Sequence, residues 1–334
     1  MKDILNFGLL GCGAASVTHA RLLAQIPDAT LFGVADKNME AAKRFAAEYG
    51  TRSYESYEQM LADESIDVVT VATPSYFHKE NAIAALRAGK HVVLEKPMAL
   101  CAADCDEIIK VIKETGKLVT VMAQMRFSED VLKVKRLVEE QKFGKISLVE
   151  LSMKYYRDKE YYANSDWRGT LKYDGGGALI NQGIHGIDLI MYILGDILKV
   201  KAMKKTVSHS IEAEDTLTAV CEFECGALGV VEASTCAYPG FERTIKIHGD
   251  KGFVEIDENR ISSLMMDGER VEHTTEAHQV TGASTNTVAN VFYHQTQVEN
   301  FIAHIKGKSE LISGCYDGKR AVRVIEDIYK DSLK

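Results

Sequence analysis

The chain has 334 residues, a length that corresponds to roughly two ordinary domains. Apolar residues make up 46% and charged residues 26%, a globular composition that excludes an intrinsically disordered chain. Forty Lys and Arg against 48 Asp and Glu leave a net charge of −8; with no Lys/Arg-rich run, this argues against nucleic acid and anionic membrane as partners. Four prolines argue against long linkers. The segment from Met1 to Gly8 has no long apolar region followed by a small-residue cleavage site, so no signal peptide is read. The longest apolar stretches, such as 187–194, fall far short of the roughly 18 residues of a membrane span. Seven cysteines are too sparse for a disulfide scaffold, and the pairs Cys101/Cys105 and Cys221/Cys225 do not have zinc-ribbon spacing. They read as reduced thiols with no metal site, in a cytoplasmic protein.

In chain order, residues 4–10 form a short apolar run, followed by the glycine-rich GCGAAS and an amphipathic stretch to about Gln25. The same grammar repeats as strand 29–36 with helix 39–49, strand 66–73 with a helix around 78–88, strand 91–95 with a helix around 103–115, and strand 117–124. Short β-branched runs alternating with helices predict a doubly wound parallel α/β domain over residues 1–124. Beyond a helix near 129–140 the pattern changes to long alternating segments at 145–155, 197–207, 215–224, 227–235, 242–249 and 251–257, several joined by turns such as Cys225-Gly226. These predict a second α/β domain over 125–334 with a large, open, mostly antiparallel sheet, the alternative being that its last helix packs back on the first domain. A helix opening at Gly175-Gly176-Gly177 and running to about Leu194 interrupts it, and helices near 288–306 and 317–331 end the chain. Residues 276–290 are polar and aperiodic, a pattern that a lid, an oligomer arm and a mobile loop all satisfy.

Gly11-Cys12-Gly13-Ala14-Ala15-Ser16 follows the first strand and opens the first helix, matching G-x-G-x-x-G at its first two glycines. Gly11 makes the tight turn, Gly13 lets backbone approach a pyrophosphate, and the helix start supplies N–H groups and partial positive charge. Asp36 closes the second strand 23 residues after Gly13, where a carboxylate accepts the ribose hydroxyls of NAD and repels the 2′-phosphate of NADP. The cofactor read from the sequence is NAD, with NADP as the alternative because Lys37 adjoins Asp36; an N-capping role for Asp36 is compatible with either.

Two further segments carry polar groups that a bare scaffold does not require. Glu95-Lys96-Pro97 ends the strand at 91–95, at the edge where open α/β sheets bind ligands, and Pro97 is a candidate for a cis bond. An exposed loop lysine is the plainer alternative. In the glycine-opened helix, Asn181, His185 and Asp188 recur at i, i+4 and i+7, which stacks them on one helical face.

These residues resemble the glucose–fructose oxidoreductase/inositol dehydrogenase/rhizopine-catabolism family of NAD(P)-dependent dehydrogenases. The matching elements are GCGAAS with Asp36, Thr73-Pro74 with His78, AGKHVVLEKPMAL (88–100), Arg126-Phe127 and GGGALINQGIHGIDL (175–189). The resemblance implies a Rossmann domain, a C-terminal domain whose open sheet forms a dimer or tetramer face, and Lys96 and His185 as catalytic residues. The implied cofactor site is Gly11, Gly13, Ala14, Ala15, Asp36, Thr73, Pro74, His78, Glu95 and Lys96. The implied substrate site is Asn181, Arg126, Tyr156, Trp167, Arg168 and Asp188. Many relatives carry Asp four residues before the histidine, where this chain has Asn181; an amide cannot take a proton, so the acid/base work falls to His185 and Lys96. Asp166-Trp167-Arg168-Gly169 with Asn-Gln-Gly-x-His resembles the branch that oxidises nucleotide-linked sugars. Tyr155, Tyr156 and Arg157 are candidates to stack on or pair with such a substrate, or are ordinary surface aromatics at a sheet end.

The expected activity is oxidation of a secondary hydroxyl of a sugar, sugar derivative or cyclitol by hydride transfer to the nicotinamide. His185 takes the hydroxyl proton and Lys96 stabilises the oxygen. The alternatives are a sugar oxidoreductase that retains its cofactor, a dihydrodiol or imine reductase, and a non-catalytic NAD(P)-binding regulator.

Overall fold

A computed structural model describes residues 2–273 and 291–333; the segment 276–290 lies outside the described residues. The chain forms two compact units, Met1–Gln124 with Val291–Lys319, and Met125–Asn290 with Arg320–Lys334. Thus 291–319, which a cut at residue 124 assigns to the second domain, packs with the first.

The first unit alternates β1 (Leu5–Leu10), α1 (Ala14–Leu23), β2 (Ala29–Ala35), α2 (Met39–Tyr49), β3 (Arg52–Ser53), α3 (Tyr57–Ala62), β4 (Val68–Val71), α4 (His78–Arg87), β5 (His91–Leu94), α5 (Ala102–Thr115) and β6 (Val119–Val121). The strands pair in parallel in the order β3-β2-β1-β4-β5-β6. All four residues of β4 are buried, as expected of a central strand covered on both faces, where no polar face is needed. Asn38 caps α2 by accepting from the Glu40 and Ala41 N–H groups, and Gly50 closes the helix in the left-handed conformation. The strand order reverses between β1 and β4, which makes that point the ligand crevice of the sheet.

The second unit begins with α6 (Glu129–Glu139), β7 (Ile146–Lys154), α7 (Lys159–Ala163) and α8 (Ile184–Leu194). It continues through β8 (Ile197–Lys205), β9 (Thr216–Phe223), β10 (Leu228–Ser234), β11 (Thr244–Gly249), β12 (Gly252–Asp257), β13 (Arg260–Met266) and β14 (Glu269–Arg270). The sheet order is β14-β13-β12-β11-β7-β10-β9-β8, antiparallel except where β10 runs parallel to β7. Strict alternation along β9 and β10 buries Leu217, Ala219, Cys221 and Phe223 with Val231 and Ala233, and leaves Val220, Leu228 and Val230 on the open face. Among the described residues no helix is long and apolar enough to cross a membrane.

Two helices follow, α9 (Phe292–Ile305) and α10 (Cys315–Asp331). Helix α9 belongs to the core of the first unit: Val298, Phe301 and Ile302 are buried with Leu5, Phe7, Leu22 and Val93. Its Gln297 donates to Thr120 Oγ1 (2.9 Å) and the Val121 carbonyl (2.8 Å) and accepts from the Ala123 N–H (2.9 Å), satisfying the end of β6. Deleting the fully buried Phe301 ring removes its transfer energy and leaves a cavity. Phe301→Ala is therefore expected to lower the unfolding free energy of the first unit by about 3–5 kcal/mol in urea titration. A loss below about 1 kcal/mol would show that α9 is not part of this core.

Candidate active site

In the first unit three loops leave adjacent strands at the carboxyl edge of the sheet. After β1, Gly11 adopts φ +97°, and a Cβ there would stand 2.7 Å from the Ala72 carbonyl oxygen, so only glycine fits. Gly13 then starts α1 with no side-chain cap and no acidic residue in the first turn, and a Cβ on it would meet nothing within 4 Å. The helix start is thus open and carries unopposed positive dipole, as a diphosphate requires. Asp36, at the end of β2, accepts from the Cys12 N–H (2.8 Å) and the Asn38 N–H (2.7 Å), tying the glycine turn to the end of the second strand. Burial and the Asp36 charge push the Cys12 thiol up to about 12. The cap of α2 is Asn38 and not Asp36.

The loops after β4 and β5 are fastened together by His78. Its Nδ1 lies 2.6 Å from the Pro97 carbonyl oxygen and its Nε2 2.9 Å from that of Thr73, while Asn81 donates to Thr73 Oγ1 (3.2 Å). His78 is 1% exposed and burial pushes its pKa down, so the neutral ring packs between the two turns and donates its single N–H to one of these carbonyls. The Lys96–Pro97 bond is cis. Glu95 turns inward: its Oε1 stands 2.8 Å from His19 Nε2 on α1, and its Oε2 accepts the Lys96 N–H (3.2 Å). Burial opposes the charge on Glu95, but the His19 hydrogen bond and the fields of His19, His294 and Lys96 hold the carboxyl far below its usual range. Burial pushes His294, on α9, down to about 4 against the pull of Glu95. Lys96 itself is half-buried.

In the second unit the glycine-opened segment departs from the single α-helix expected. Ala178–Gly183 is a π-helical turn, and α8 begins only at Ile184. The wider turn breaks the uniform i, i+4, i+7 stacking, because Asn181 sits in the π segment and His185 and Asp188 in the α-helix. The cause is local crowding and a buried cap. A Cβ on Gly177 would lie 1.8 Å from the Glu214 carbonyl oxygen, and one on Gly176 would lie 2.4 Å from Tyr329 Oη. The Glu214 carboxylate accepts from the Gly177 and Leu179 N–H groups (both 3.0 Å) and from Tyr329 Oη (2.8 Å). Burial nonetheless pushes its carboxyl up.

Asp188 and Arg126 take each other as partners, Nε to Oδ2 at 2.8 Å and Nη2 to Oδ1 at 2.6 Å, both side chains nearly closed to solvent. Asn181 belongs to a different network. Its Nδ2 donates to Asp174 Oδ1 (2.8 Å), and its Oδ1 accepts from Gln182 Nε2 (3.0 Å). Gln182 in turn accepts from Arg157 Nη2 (3.1 Å) and donates to Tyr161 Oη (3.1 Å). The carboxylate absent at position 181 is therefore present one hydrogen bond away, on the buried Asp174. Arg168 lies 4.4 Å over the Tyr161 ring and 5.5 Å over Trp167, and Tyr156 packs edge-on against the exposed Tyr238 at 5.3 Å. His185 is half-buried, at the second residue of α8.

Two family models match the chain along these features: an oxidoreductase family with an NAD-binding Rossmann fold over residues 5–123, and the GFO/IDH/MocA C-terminal domain over residues 131–255. The chain belongs to the GFO/IDH/MocA oxidoreductase family. It is 31% identical to the WlbA dehydrogenase from Bordetella pertussis, solved in complex with NADH and UDP-GlcNAcA, with a TM-score of 0.88 over 99% of this chain and 97% of that one. It is 30% identical to the 2,7-anhydro-N-acetylneuraminate hydratase of Escherichia coli over 81% of this chain and 72% of that protein. It is 27% identical to the myo-inositol 2-dehydrogenase of Thermotoga maritima over 80% and 79%.

The fold of this family member fits the cofactor: an uncapped helix start beside Gly13 for the diphosphate and the Asp36 carboxylate at the end of β2 are the donors and acceptors that NAD requires. Among the described residues no cluster of His, Cys, Asp and Glu is arranged to hold a metal ion. Sequence reading passes over His19, His294, Glu214 and Tyr329, because each gains its role from a partner distant in the chain, and over Asp174, whose partner Asn181 stands seven residues on. Only Asp174, directly before the glycine triplet, has a local signal.

The electrostatics carry a pH dependence. His294 folds with its imidazole pushed down from 6.5 to about 4, so the unfolded chain binds a proton first as pH falls. Its contribution to stability is complete above pH 6.5 and is lost as pH drops toward 4. Between pH 7 and pH 4.5 the wild type is expected to lose on the order of 2 kcal/mol more than His294→Gln in denaturant titrations. Equal losses in the two proteins would contradict the assigned shift.

Proposed function

We propose that this protein oxidises a secondary hydroxyl of a nucleotide-linked sugar, with NAD as hydride acceptor. The observation that carries this reading is the presence, in one family member, of two half-buried proton-transfer side chains at stiffly built positions. Lys96 sits on a turn clamped by His78 and Glu95, and His185 sits at the head of a helix fixed by Glu214 and Tyr329. The nucleotide-linked class is supported by the end-to-end likeness to WlbA in complex with UDP-GlcNAcA. The Arg168 cation held over Tyr161 and Trp167 supports it too, offering charge and ring surface to a diphosphate and base.

His185 accepts the hydroxyl proton as the carbon–hydrogen bond breaks. Lys96 donates a hydrogen bond to the same oxygen and stabilises the charge that develops there. Asn181, its amide oriented by Asp174 and Gln182, holds a ring hydroxyl; Tyr156 and Trp167 border the sugar, and the Arg126–Asp188 pair stiffens α8 behind it. Asp36 receives the ribose hydroxyls, and Gly11, Gly13, Ala14, Ala15, Thr73 and Pro74 line the dinucleotide. When bound, the nicotinamide supplies the electrophilic carbon that receives hydride.

We also propose assembly as a dimer or tetramer through the open sheet face, where Leu148, Val220, Leu228 and Val230 are exposed on adjacent strands. We propose a cytoplasmic setting as well, in keeping with a cysteine content too sparse for a disulfide scaffold.

With UDP-GlcNAcA as substrate, Lys96→Ala and His185→Ala should each lower turnover about a hundredfold or more while NAD affinity stays near that of the wild type. Near wild-type turnover in either variant would reject its catalytic role. Asp36→Ala should narrow the preference for NAD over NADP, measured as the ratio of kcat/KM values. An unchanged ratio would leave Asp36 as a tie between the glycine turn and β2.

A further inference from the structure

Glu95 does more than precede a lysine. Its carboxylate is surrounded by groups from three helices: His19 of α1 in direct contact, His294 of α9, and His78 of α4, whose ring sits between the Thr73 and Pro97 carbonyls. Lys96 is the remaining cation in its field. His19 is 1% exposed and His294 7%, so water screens this cluster poorly. An ionised Glu95 can only accept, so the His19 contact fixes a proton on His19 Nε2. The second carboxylate oxygen takes the Lys96 backbone N–H, and the Pro97 carbonyl packs 2.6 Å from His78 Nδ1. The turn bearing Lys96 is therefore tied inward by Glu95 and packed against His78, and the carboxylate whose field reaches Lys96 is one that burial alone would neutralise.

We propose that His19 and Glu95 are positioning residues for Lys96: the pair anchors the turn and supplies the buried negative charge that keeps the lysine an ammonium donor. This rests on the reading of Lys96 as the group that stabilises the reacting oxygen. Two effects follow. Without the Glu95 charge, the ammonium form of Lys96 loses its neighbouring counter-charge in a poorly screened site. Without the His19 contact, the carboxylate is left buried beside a neutral gap, and the turn loses its inner anchor.

The test uses the full-length protein with its lysines reductively methylated with ¹³C-formaldehyde. The Lys96 resonance is assigned by its absence in Lys96→Arg and followed through a pH titration. In Glu95→Gln the Lys96 midpoint should fall by about one unit or more relative to the wild type, whereas Glu95→Asp, which keeps the charge, should stay within about half a unit. A midpoint unmoved in Glu95→Gln overturns the proposal. So does a wild-type midpoint more than a unit below the ordinary lysine value of about 10.4, a readout that needs only the assignment variant Lys96→Arg to fold. In turnover of UDP-GlcNAcA, His19→Ala should lower kcat at least tenfold with KM for NAD unchanged, and His19→Gln, which still donates to Glu95, should restore most of it. Equal kcat in His19→Ala and His19→Gln rejects the anchoring role. The titration needs no substrate, so inactive Lys96→Ala with an unmoved midpoint rejects this inference alone, and a shifted midpoint with active Lys96→Ala rejects only the catalytic reading.

Discussion

A carboxylate buried at the end of a central parallel strand is costly unless it is paired and hydrogen-bonded, by several kcal/mol in an effective protein medium. Glu95 is such a group, and much of the first unit is arranged around that cost. Helix α1 brings His19 to it, α9 brings His294 near it, and the following backbone N–H donates to its second oxygen. The same α1 offers its uncapped N-terminus at the other end of the crevice, so one helix supports both the diphosphate turn and the lysine turn. This links the packing of α9, which has no part in the dinucleotide motif, to the turn that carries Lys96.

The second unit solves a similar problem with a second buried carboxylate. Glu214 receives the first free N–H groups of the π-helical turn, and Tyr329 of α10 covers it while accepting the Ile180 N–H at 3.2 Å. The close approach of the Glu214 backbone leaves no room for a side chain at Gly177. A π turn interposed before an α-helix is a costly local choice in the absence of tertiary constraint, and here the constraint is visible. Its consequence is to separate Asn181, tied to Asp174, from Asp188, tied to Arg126, and to leave His185 at the junction.

The doubly wound domain was readable in the sequence because runs such as Val68–Val71 can only be strands buried on both faces, and each is followed by a helix of ordinary length. The alternation along β7 to β12 was readable for the same reason, with an open face to reveal the period. Short elements were not: β3 and β14 have two residues each, and α3 and α7 have six and five, too few to express a period. Helix α9 was legible as a helix near 288–306, but its membership of the first unit was not, since it depends on Phe301 and Gln297 meeting residues nearly two hundred or more positions earlier. At the site, spacing singled out Gly11, Asp36 and the Asn181, His185 and Asp188 series, whereas the catalytic roles expected of Lys96 and His185 came from the family resemblance. The expectation that Asn181 removes a carboxylate from this neighbourhood was drawn from one position; the fold returns one from Asp174. No one-dimensional pattern marks His19 as the partner of Glu95, 76 residues away.

The central claim is that hydrogen leaves a sugar carbon as hydride and arrives on NAD. The most direct measurement is mass spectrometry of the cofactor after the purified protein is incubated with NAD and UDP-GlcNAcA deuterated at the carbinol carbons of the sugar ring. One deuterium is expected in the reduced nicotinamide, with a ketone at one ring position of the product. Turnover of the sugar with reduced or recovered cofactor free of deuterium would contradict it.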